Sequence, residues 1–235
     1  IIISDNGHAI IGEMVFSENG TLNSLTNNAF FPLPGPEGVA LHNKRLADSE
    51  AVSLSNDQRA LYISFEYRHR VWQYDLANGS MHSLSQSEPK ALGAAPFLAF
   101  LPENGGIEAM LTLDDGSLLL FSEQGQAYPE GRRVWNFNNG QALAAAYKNP
   151  APYVPTDAAR LGDNKLLVLN RHYSPLAGVS AVLTVIDAEP LTQSSKDPHH
   201  AEKRSQSINI DKGWSELTPL SLAAIKAPFP TDNYE

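Results

Sequence analysis

The sequence predicts an all-β protein, a β-propeller-like array of four-stranded blades, and two observations support this. A unit made of an acidic residue, an apolar run, a turn, a second apolar run and a second polar residue recurs at 50–66, 108–123 and 157–170. Such ordered self-similarity is typical of repeat architectures. Further strand-like sequence follows each copy, and four strands per unit of roughly 40 to 60 residues is the composition of a propeller blade.

Each copy of the unit predicts a β-hairpin. The residues between the two apolar runs are Asn56-Asp57, Asp115-Gly116 and Asp163-Asn164. Asn, Asp and Gly tolerate the backbone conformations of tight turns, so each copy should form two antiparallel strands. After the first copy, the apolar segments 69–76 and 81–84 flank Asn78-Gly79, which predicts a further hairpin.

The chain ends fall within this pattern. Ile1 to Asp5 matches the second half of a repeat, and Asp232 to Glu235 matches the start of another. We therefore expect residues 1–235 to form one domain that is a fragment of a longer propeller, with about four blades present and both ends cut. A gap in a propeller leaves unpaired sheet edges, which favour association.

Two segments depart from the strand pattern. Residues 193–206 are polar and predict a solvated insert loop; adjacent histidines there, His199 and His200, make a poor metal site. Residues 214–227 predict one short helix, with Leu217, Leu220 and Ile225 as its apolar positions and prolines after it.

Composition excludes several classes of function. The formal net charge of −9 argues against nucleic acid or an anionic membrane surface as the main partner. The absence of cysteine excludes disulfides and thiolate chemistry. No apolar run approaches the roughly 18 to 20 residues of a membrane span. The oligomeric state does not follow from composition.

The recurring acidic residues are the strongest candidates for chemistry. In a propeller the innermost strand of each blade faces the channel, so equivalent positions form a ring. One predicted ring contains Glu50, Glu108, Asp157 and Glu235, and a second contains Asp5, Glu66, Glu123 and Asn170. Converging carboxylates are what Ca²⁺ requires. The predicted metal ligands are Asp5, Glu50, Glu66, Glu108, Glu123 and Asp157.

Cationic side chains lie in the same register. Arg68, His69 and Arg70 follow Glu66, while Arg171 and His172 follow Asn170. The planar fork of arginine suits phosphate or carboxylate groups, so these residues predict an anionic substrate. An alternative stays open: the arginines pair with neighbouring glutamates, and the recurring acids satisfy backbone N–H groups at the starts of blades.

Several stretches together resemble a known bacterial family. The most specific are Phe65-Glu66 followed by His69-Arg70-Val71-Trp72, and Asn104-Gly105-Gly106-Ile107-Glu108-Ala109. With segments 47–51, 157–159 and 232–235, they resemble, in order along almost the whole chain, the phytase-like family described as "esterase-like activity of phytase". The sequence departs from the family pattern at Asn170, where an acidic residue is usual.

The resemblance implies a propeller-like domain, usually exported to the periplasm or secreted, that hydrolyses ester or phosphoester bonds. Other hydrolase signatures are missing. Residues 178–182 fail the last position of Gly-x-Ser-x-Gly, and no Arg-His-Gly-x-Arg-x-Pro or His-Glu-x-x-His pattern occurs. An esterase here would therefore need metal-assisted chemistry.

Two functional hypotheses follow. The first is a Ca²⁺-dependent phosphoesterase that acts on a small anionic ester at the channel mouth. Its catalytic residues would be Glu66, Glu108, Arg70 and Arg171, and its substrate-binding residues Arg70, His69, Arg171 and His172. The second is a non-catalytic propeller that binds a ligand or partner protein, in which the acidic residues are structural.

Overall fold

The computed structural model describes residues 1–93, 96–126, 131–189, 191 and 215–225. These residues form sixteen strands in four sheets, a short α-helix at Lys44–Ala47, and the 3-10 helices Pro36–Gly38, Ala77–Gly79, Met81–Gln86 and Pro96–Phe100. We call the sheets blades 1 to 4. They are arranged in a ring, as in a four-bladed β-propeller, so the predicted fold class is confirmed.

The first two blades come from the N-terminal part of the chain. Blade 1 contains β1 (Ile2–Ser4), β2 (His8–Phe16) and β3 (Leu22–Pro32). Blade 2 contains β4 (Ser49–Leu54), β5 (Ala60–Phe65), β6 (Arg70–Asp75) and β7 (Pro89–Ala91). β1 contacts β4 as β5 contacts β8 and β9 contacts β12, so β1 takes the place of a second strand, as predicted.

The other two blades each incorporate a strand from the C-terminal segment. Blade 3 contains β8 (Ile107–Thr112), β9 (Leu118–Gln126), β10 (Arg132–Asn138), β11 (Gln141–Tyr147) and β15 (Ser215–Leu217), which pairs in parallel with β11. Blade 4 contains β12 (Val154–Gly162), β13 (Lys165–Ser174), β14 (Gly178–Asp187) and β16 (Pro219–Ile225).

The apolar core lies between successive blades. Successive residues of a strand point to opposite faces of the sheet. A sheet with a blade on each side therefore needs apolar residues at both the odd and the even positions of its strands. In β5, Leu61 and Ile63 pack into a cluster with blade 1, while Tyr62 packs against the cluster shared with blade 3. In β9, Leu118 and Leu119 divide in the same way between blades 2 and 4.

The first-to-second-strand hairpins form as the sequence predicts. β4 pairs with β5, β8 with β9 and β12 with β13, all antiparallel. Asp163 and Asn164 adopt positive φ angles of 49° and 56° at the third turn. Asp and Asn tolerate this left-handed conformation better than most residues, which explains their place there.

The hairpin predicted at Asn78-Gly79 is wrong. The chain forms two 3-10 helices, Ala77–Gly79 and Met81–Gln86, and the fourth strand begins only at Pro89. The hydroxyl of Ser83 accepts a hydrogen bond from the Ala77 N–H (2.8 Å), and Leu84 is fully buried between blades 1 and 2. These local contacts favour a compact coil over a strand.

The predicted helix at 214–227 is also wrong over its described part, residues 215–225, which form β15 and β16. The open edges of β11 and β14 supply backbone hydrogen-bond partners, and Leu217 is buried between blades 3 and 4. Tertiary pairing thus overrides a short apolar pattern. The insert at 193–206, His199, His200 and the repeat start at 232–235 lie outside the described residues.

A buried polar network joins blades 3 and 4. The Tyr147 hydroxyl donates to Asn170 Oδ1 (2.9 Å) and lies 2.7 Å from Thr184 Oγ1, and Asn170 Nδ2 donates to the Val168 carbonyl (3.1 Å). Burial raises the pKa of Tyr147 to about 12, so the hydroxyl keeps its proton at neutral pH. The network satisfies polar groups inside an apolar interface.

Replacing Tyr147 with Phe should lower the free energy of unfolding by about 1 to 3 kcal/mol, because it leaves the buried Asn170 and Thr184 groups without this partner. Urea denaturation followed by circular dichroism measures the change. The matched control is Tyr173→Phe, since Tyr173 is 64% exposed and its substitution should have little effect. Equal losses in the two variants would contradict the structural role of the network.

Candidate metal centre

The innermost strands of blades 2, 3 and 4 share a one-residue β-bulge near their starts. In each blade the first strand advances by one more residue than the second strand between two consecutive pairs. Bulges redirect side chains and are frequent beside functional sites. The flanking pairs are Ser49–Phe65 and Val52–Ile63 in blade 2, Ile107–Ser122 and Ala109–Phe121 in blade 3, and Pro155–Asn170 and Asp157–Leu169 in blade 4.

Glu50 and Glu108 lie in the bulges of blades 2 and 3, and Thr156 lies in that of blade 4. The second acidic position lies towards the end of the next strand, since Glu66 directly follows β5 and Glu123 lies within β9. The Glu66 N–H donates to the Asp48 carbonyl (2.8 Å), and the Glu123 N–H donates to the Gly106 carbonyl (3.0 Å). The equivalent residue of blade 4 is Arg171, which pairs with Val154.

Two carboxylate clusters result, and both can hold a metal ion. One contains Asp48, Glu50 and Glu66, and the other contains Glu66, Glu108 and Glu123. Within each cluster, one ligand oxygen per residue lies within 4.8 Å of the others. Glu66 belongs to both. The structure thus brings together four of the six predicted metal ligands, namely Glu50, Glu66, Glu108 and Glu123.

Asp5 and Asp157 lie outside both clusters. The exposed Asp5 carboxylate is 3.9 Å from Lys44 Nζ, and the Asp157 carboxylate accepts a hydrogen bond from the Ala158 N–H (2.7 Å). In blade 4 the strand pairing is offset by one residue from the sequence alignment. A one-residue offset turns a side chain to the other face of the sheet.

Asn170 shows the same offset. It pairs with Pro155, as Ser122 pairs with Ile107, so it is equivalent to Ser122 and not to Glu123. Its side chain is fully buried in the network with Tyr147 and does not join the acidic clusters.

Asp48 is the cluster residue that sequence reasoning missed. It is 2% exposed, its Oδ1 has no hydrogen-bond partner within the described part of the chain, and its counter-charge is Lys44, whose Nζ lies 3.5 Å from Oδ1. Burial raises the pKa of Asp48, and the attraction of Lys44 opposes this rise. In the sequence, the position of Asp48 two residues before Glu50 was the signal that could have identified it. In the structure, its carbonyl pairs with the Glu66 N–H.

Glu66 is, like Asp48, an almost fully buried carboxylate of the site. It is 4% exposed and accepts a hydrogen bond from the Gly106 N–H (3.1 Å). Burial raises its pKa, and the neighbouring Asp48 and Glu123 charges act in the same direction, while the Gly106 hydrogen bond opposes them. The donors are all carboxylate oxygens, and one of them, Asp48 Oδ1, has no hydrogen-bond partner among the residues that the structure describes. Such a set fits a hard divalent cation such as Ca²⁺.

Gly106 allows this close approach. A Cβ atom at position 106 would lie 3.1 Å from His69 Nδ1 and 3.3 Å from Glu66 Cγ. His69 Nε2 is 2.7 Å from the Pro102 carbonyl, which can only accept, so Nε2 carries the proton. Nδ1 is buried without a hydrogen-bond partner among the described residues. His69 therefore borders the site.

The predicted cationic residues have different surroundings. The Arg70 guanidinium donates to the carbonyls of Arg68 (2.9 Å) and Leu46, and it lies 4.0 Å and 4.2 Å from the ring centres of Phe65 and Trp72. Burial lowers its pKa to about 10. His172 packs against the Tyr153 ring, 5.8 Å between centroids. Arg171 lies at the blade 4 position equivalent to Glu66 and Glu123.

Glu66→Gln tests the electrostatic cost of the cluster. Because the folded-state pKa of Glu66 is raised, the folded protein holds this proton more tightly than the unfolded chain, whose glutamate pKa is about 4.3. The free energy of unfolding therefore falls as pH rises from the unfolded towards the folded pKa. In chelator at pH 7 the Gln variant should be the more stable protein.

This advantage should disappear near pH 3, where the wild-type carboxyl is protonated in both states. Thermal denaturation of both proteins across this pH range measures the difference. Glu18→Gln, at an exposed position, provides the control. If the stability difference between wild type and Glu66→Gln does not depend on pH, the raised pKa of Glu66 is not its cause.

Of the comparisons with known proteins, the match to a family model agrees with the resemblance noted above. None of the helices in the described ranges is long and apolar enough to cross a bilayer. No curated protein matches the chain. Among solved structures, a luciferin-regenerating enzyme shares 19% identity at a TM-score of 0.40, with 72% of this chain and 52% of that chain covered.

A protein of unknown function from Bacteroides caccae shares 9% identity at a TM-score of 0.35, with 75% of this chain and 64% of that chain covered. The chain thus spans about half the length of the first structure and just under two thirds of the second. The model of the phytase-like family, "Esterase-like activity of phytase", matches residues 1–235. The chain belongs to this phytase-like family.

Proposed function

We propose that the protein is a metal-dependent hydrolase of ester or phosphoester bonds, with a small anionic ester as substrate and Ca²⁺ as the metal. The observation that carries the proposal is the pair of carboxylate clusters that share Glu66, found in a member of the phytase-like family. The same membership is the support for an exported, periplasmic or secreted protein.

The side chains that would hold the metal are Asp48, Glu50, Glu66, Glu108 and Glu123. A bound divalent cation polarises a phosphoryl or acyl oxygen and lowers the pKa of a bound water. The protein's part is to keep the ligands in place. The Gly106 N–H fixes the orientation of the Glu66 carboxylate, and the backbone bond from Glu123 to Gly106 fixes the neighbouring position.

Glu66 and Glu108 are the proposed catalytic carboxylates, and their burial suggests different roles. Glu66 is almost fully buried and suits positioning, whereas Glu108 is only partly buried and can accept the proton of the attacking water. His69, which borders the Glu66 carboxylate, and Arg171, at the blade 4 position equivalent to Glu66 and Glu123, would help hold the anionic group, with His172 following Arg171. Arg70, which contacts carbonyls and aromatic rings, would act by holding β5 and β6 in place.

The non-catalytic alternative makes a different prediction. If the carboxylates only satisfy backbone N–H groups, as Glu66 does for Gly106, chelation should not change stability and no ester should be hydrolysed.

A calorimetric Ca²⁺ titration tests the proposed centre. Wild-type protein should bind saturably, and Glu66→Gln or Glu108→Gln should weaken binding at least about tenfold, because each removes a charged oxygen ligand. Asp157→Asn is the matched control, since Asp157 lies outside both clusters. Phosphate esters, phytate first, would then be assayed with and without chelator.

The outcomes separate the hypotheses. Saturable binding that is lost in the two Glu variants but kept in Asp157→Asn supports the centre, and metal-dependent turnover supports the enzyme. Absence of any Ca²⁺ binding by the wild type would contradict the proposal and favour the non-catalytic alternative. Binding that is lost only in Asp157→Asn would move the centre to blade 4.

A further inference from the structure

Glu123 lies in a large bulge of β9, which faces the start of β10. The pairs Gln126–Arg132 and Phe121–Val134 leave residues 122–125 facing a single residue of β10, Arg133. The Ser122 hydroxyl closes the bulge by hydrogen bonds with the carbonyls of Gly125 (3.2 Å) and Arg133 (3.0 Å). Glu123 thus lies in the part of β9 that leaves the pairing with β10, which resumes at Gln126 and Arg132.

Arg132 is a partly buried cation with unused hydrogen-bonding capacity. Its Nε is buried and has no hydrogen-bond partner among the described residues. Glu123 lies in the bulge bounded by the pairs of Arg132 and Val134, and its negative charge opposes the lowering of the Arg132 pKa by burial. Within the described residues, no ion pair joins Arg132 and Glu123. A buried N–H without an acceptor is costly, so an external acceptor at this position would stabilise the protein.

Arg70 and Arg132 differ in how many partners their guanidinium groups have within the protein. The sequence motif favoured Arg70 as the anion-binding arginine, yet its guanidinium already contacts two carbonyls and two aromatic rings. Arg132 has no such contacts among the described residues and lies beside a ligand of the proposed metal centre. When Glu123 binds a cation, Arg132 loses part of its counter-charge, which favours an anion from solution.

We propose that Arg132 is a substrate-binding residue that holds the phosphate group of an anionic phosphomonoester beside the Glu66, Glu108 and Glu123 cluster. This inference rests on the proposed function, because the phosphate would lie between Arg132 and the cation of that cluster. The guanidinium fork matches two phosphate oxygens, a geometry that lysine does not offer. Metal and phosphate should then strengthen each other's binding by the same factor.

Calorimetric titration with phenyl phosphate, with and without Ca²⁺, tests the proposal. In Ca²⁺, Arg132→Gln should weaken phenyl phosphate binding about tenfold to hundredfold, as expected for the loss of charged hydrogen bonds. Arg132→Lys keeps the charge and should give an intermediate loss. Arg59→Gln is the control. Arg59 is exposed and lies just before β5, at the other end of that strand from Glu66, so phenyl phosphate binding should not change.

Ca²⁺ affinity in the absence of phenyl phosphate, measured on the same variants, separates this inference from the proposed function. Retained Ca²⁺ binding with weakened phosphate binding in Arg132→Gln supports Arg132. Unchanged phosphate binding in both Arg132 variants, or no phosphate binding by a wild type that binds Ca²⁺, overturns the inference and leaves the metal centre standing. A wild type that binds no Ca²⁺ instead refutes the proposed function. If Arg132→Gln does not fold, Arg132→Lys decides alone.

Discussion

The structure depends on the requirement that each central sheet bury both of its faces. In β5 and β9, alternate residues pack against different neighbouring blades, so neither sheet is stable without the next one. This face-to-face packing aligns the first strands of successive blades, and β4, β8 and β12 contact one another in turn. Side chains that are distant in sequence, such as Glu50 and Glu108, are brought into one region by this alignment.

The carboxylates converge because the backbone is irregular at equivalent points. In a regular strand the directions of the Glu50 and Glu108 side chains would follow the alternation of the strand between its two faces. The one-residue bulges near the starts of β4 and β8 change these directions. Burying these acidic groups costs stability, because burial raises the pKa of Asp48 and of Glu66, and neighbouring carboxylates raise that of Glu66 further. The apolar interfaces between blades offset that cost.

The sequence was most informative where the signal is local. Asn, Asp and Gly turns located the three hairpins, and repeated acids located Glu50, Glu66, Glu108 and Glu123. Blade 4 was aligned one residue off, since nothing in residues 154–171 indicates that Thr156, and not Asp157, lies in the bulge. Asp48 and Arg132 depend on pairing across strands, and β15 and β16 on edges of distant strands. No local pattern reports such pairings.

Glu66 belongs to two clusters formed by neighbouring repeats, and this has an evolutionary consequence. Glu50 and Glu108 occupy equivalent places in separate blades, so a change in either repeat leaves the other repeat's ligand in place. Glu123 repeats Glu66 in blade 3, but Glu66 is the carboxylate that the two clusters share, at the point where the two blades meet. A change at Glu66 therefore removes a ligand from both clusters at once, and selection should tolerate the fewest alternatives there.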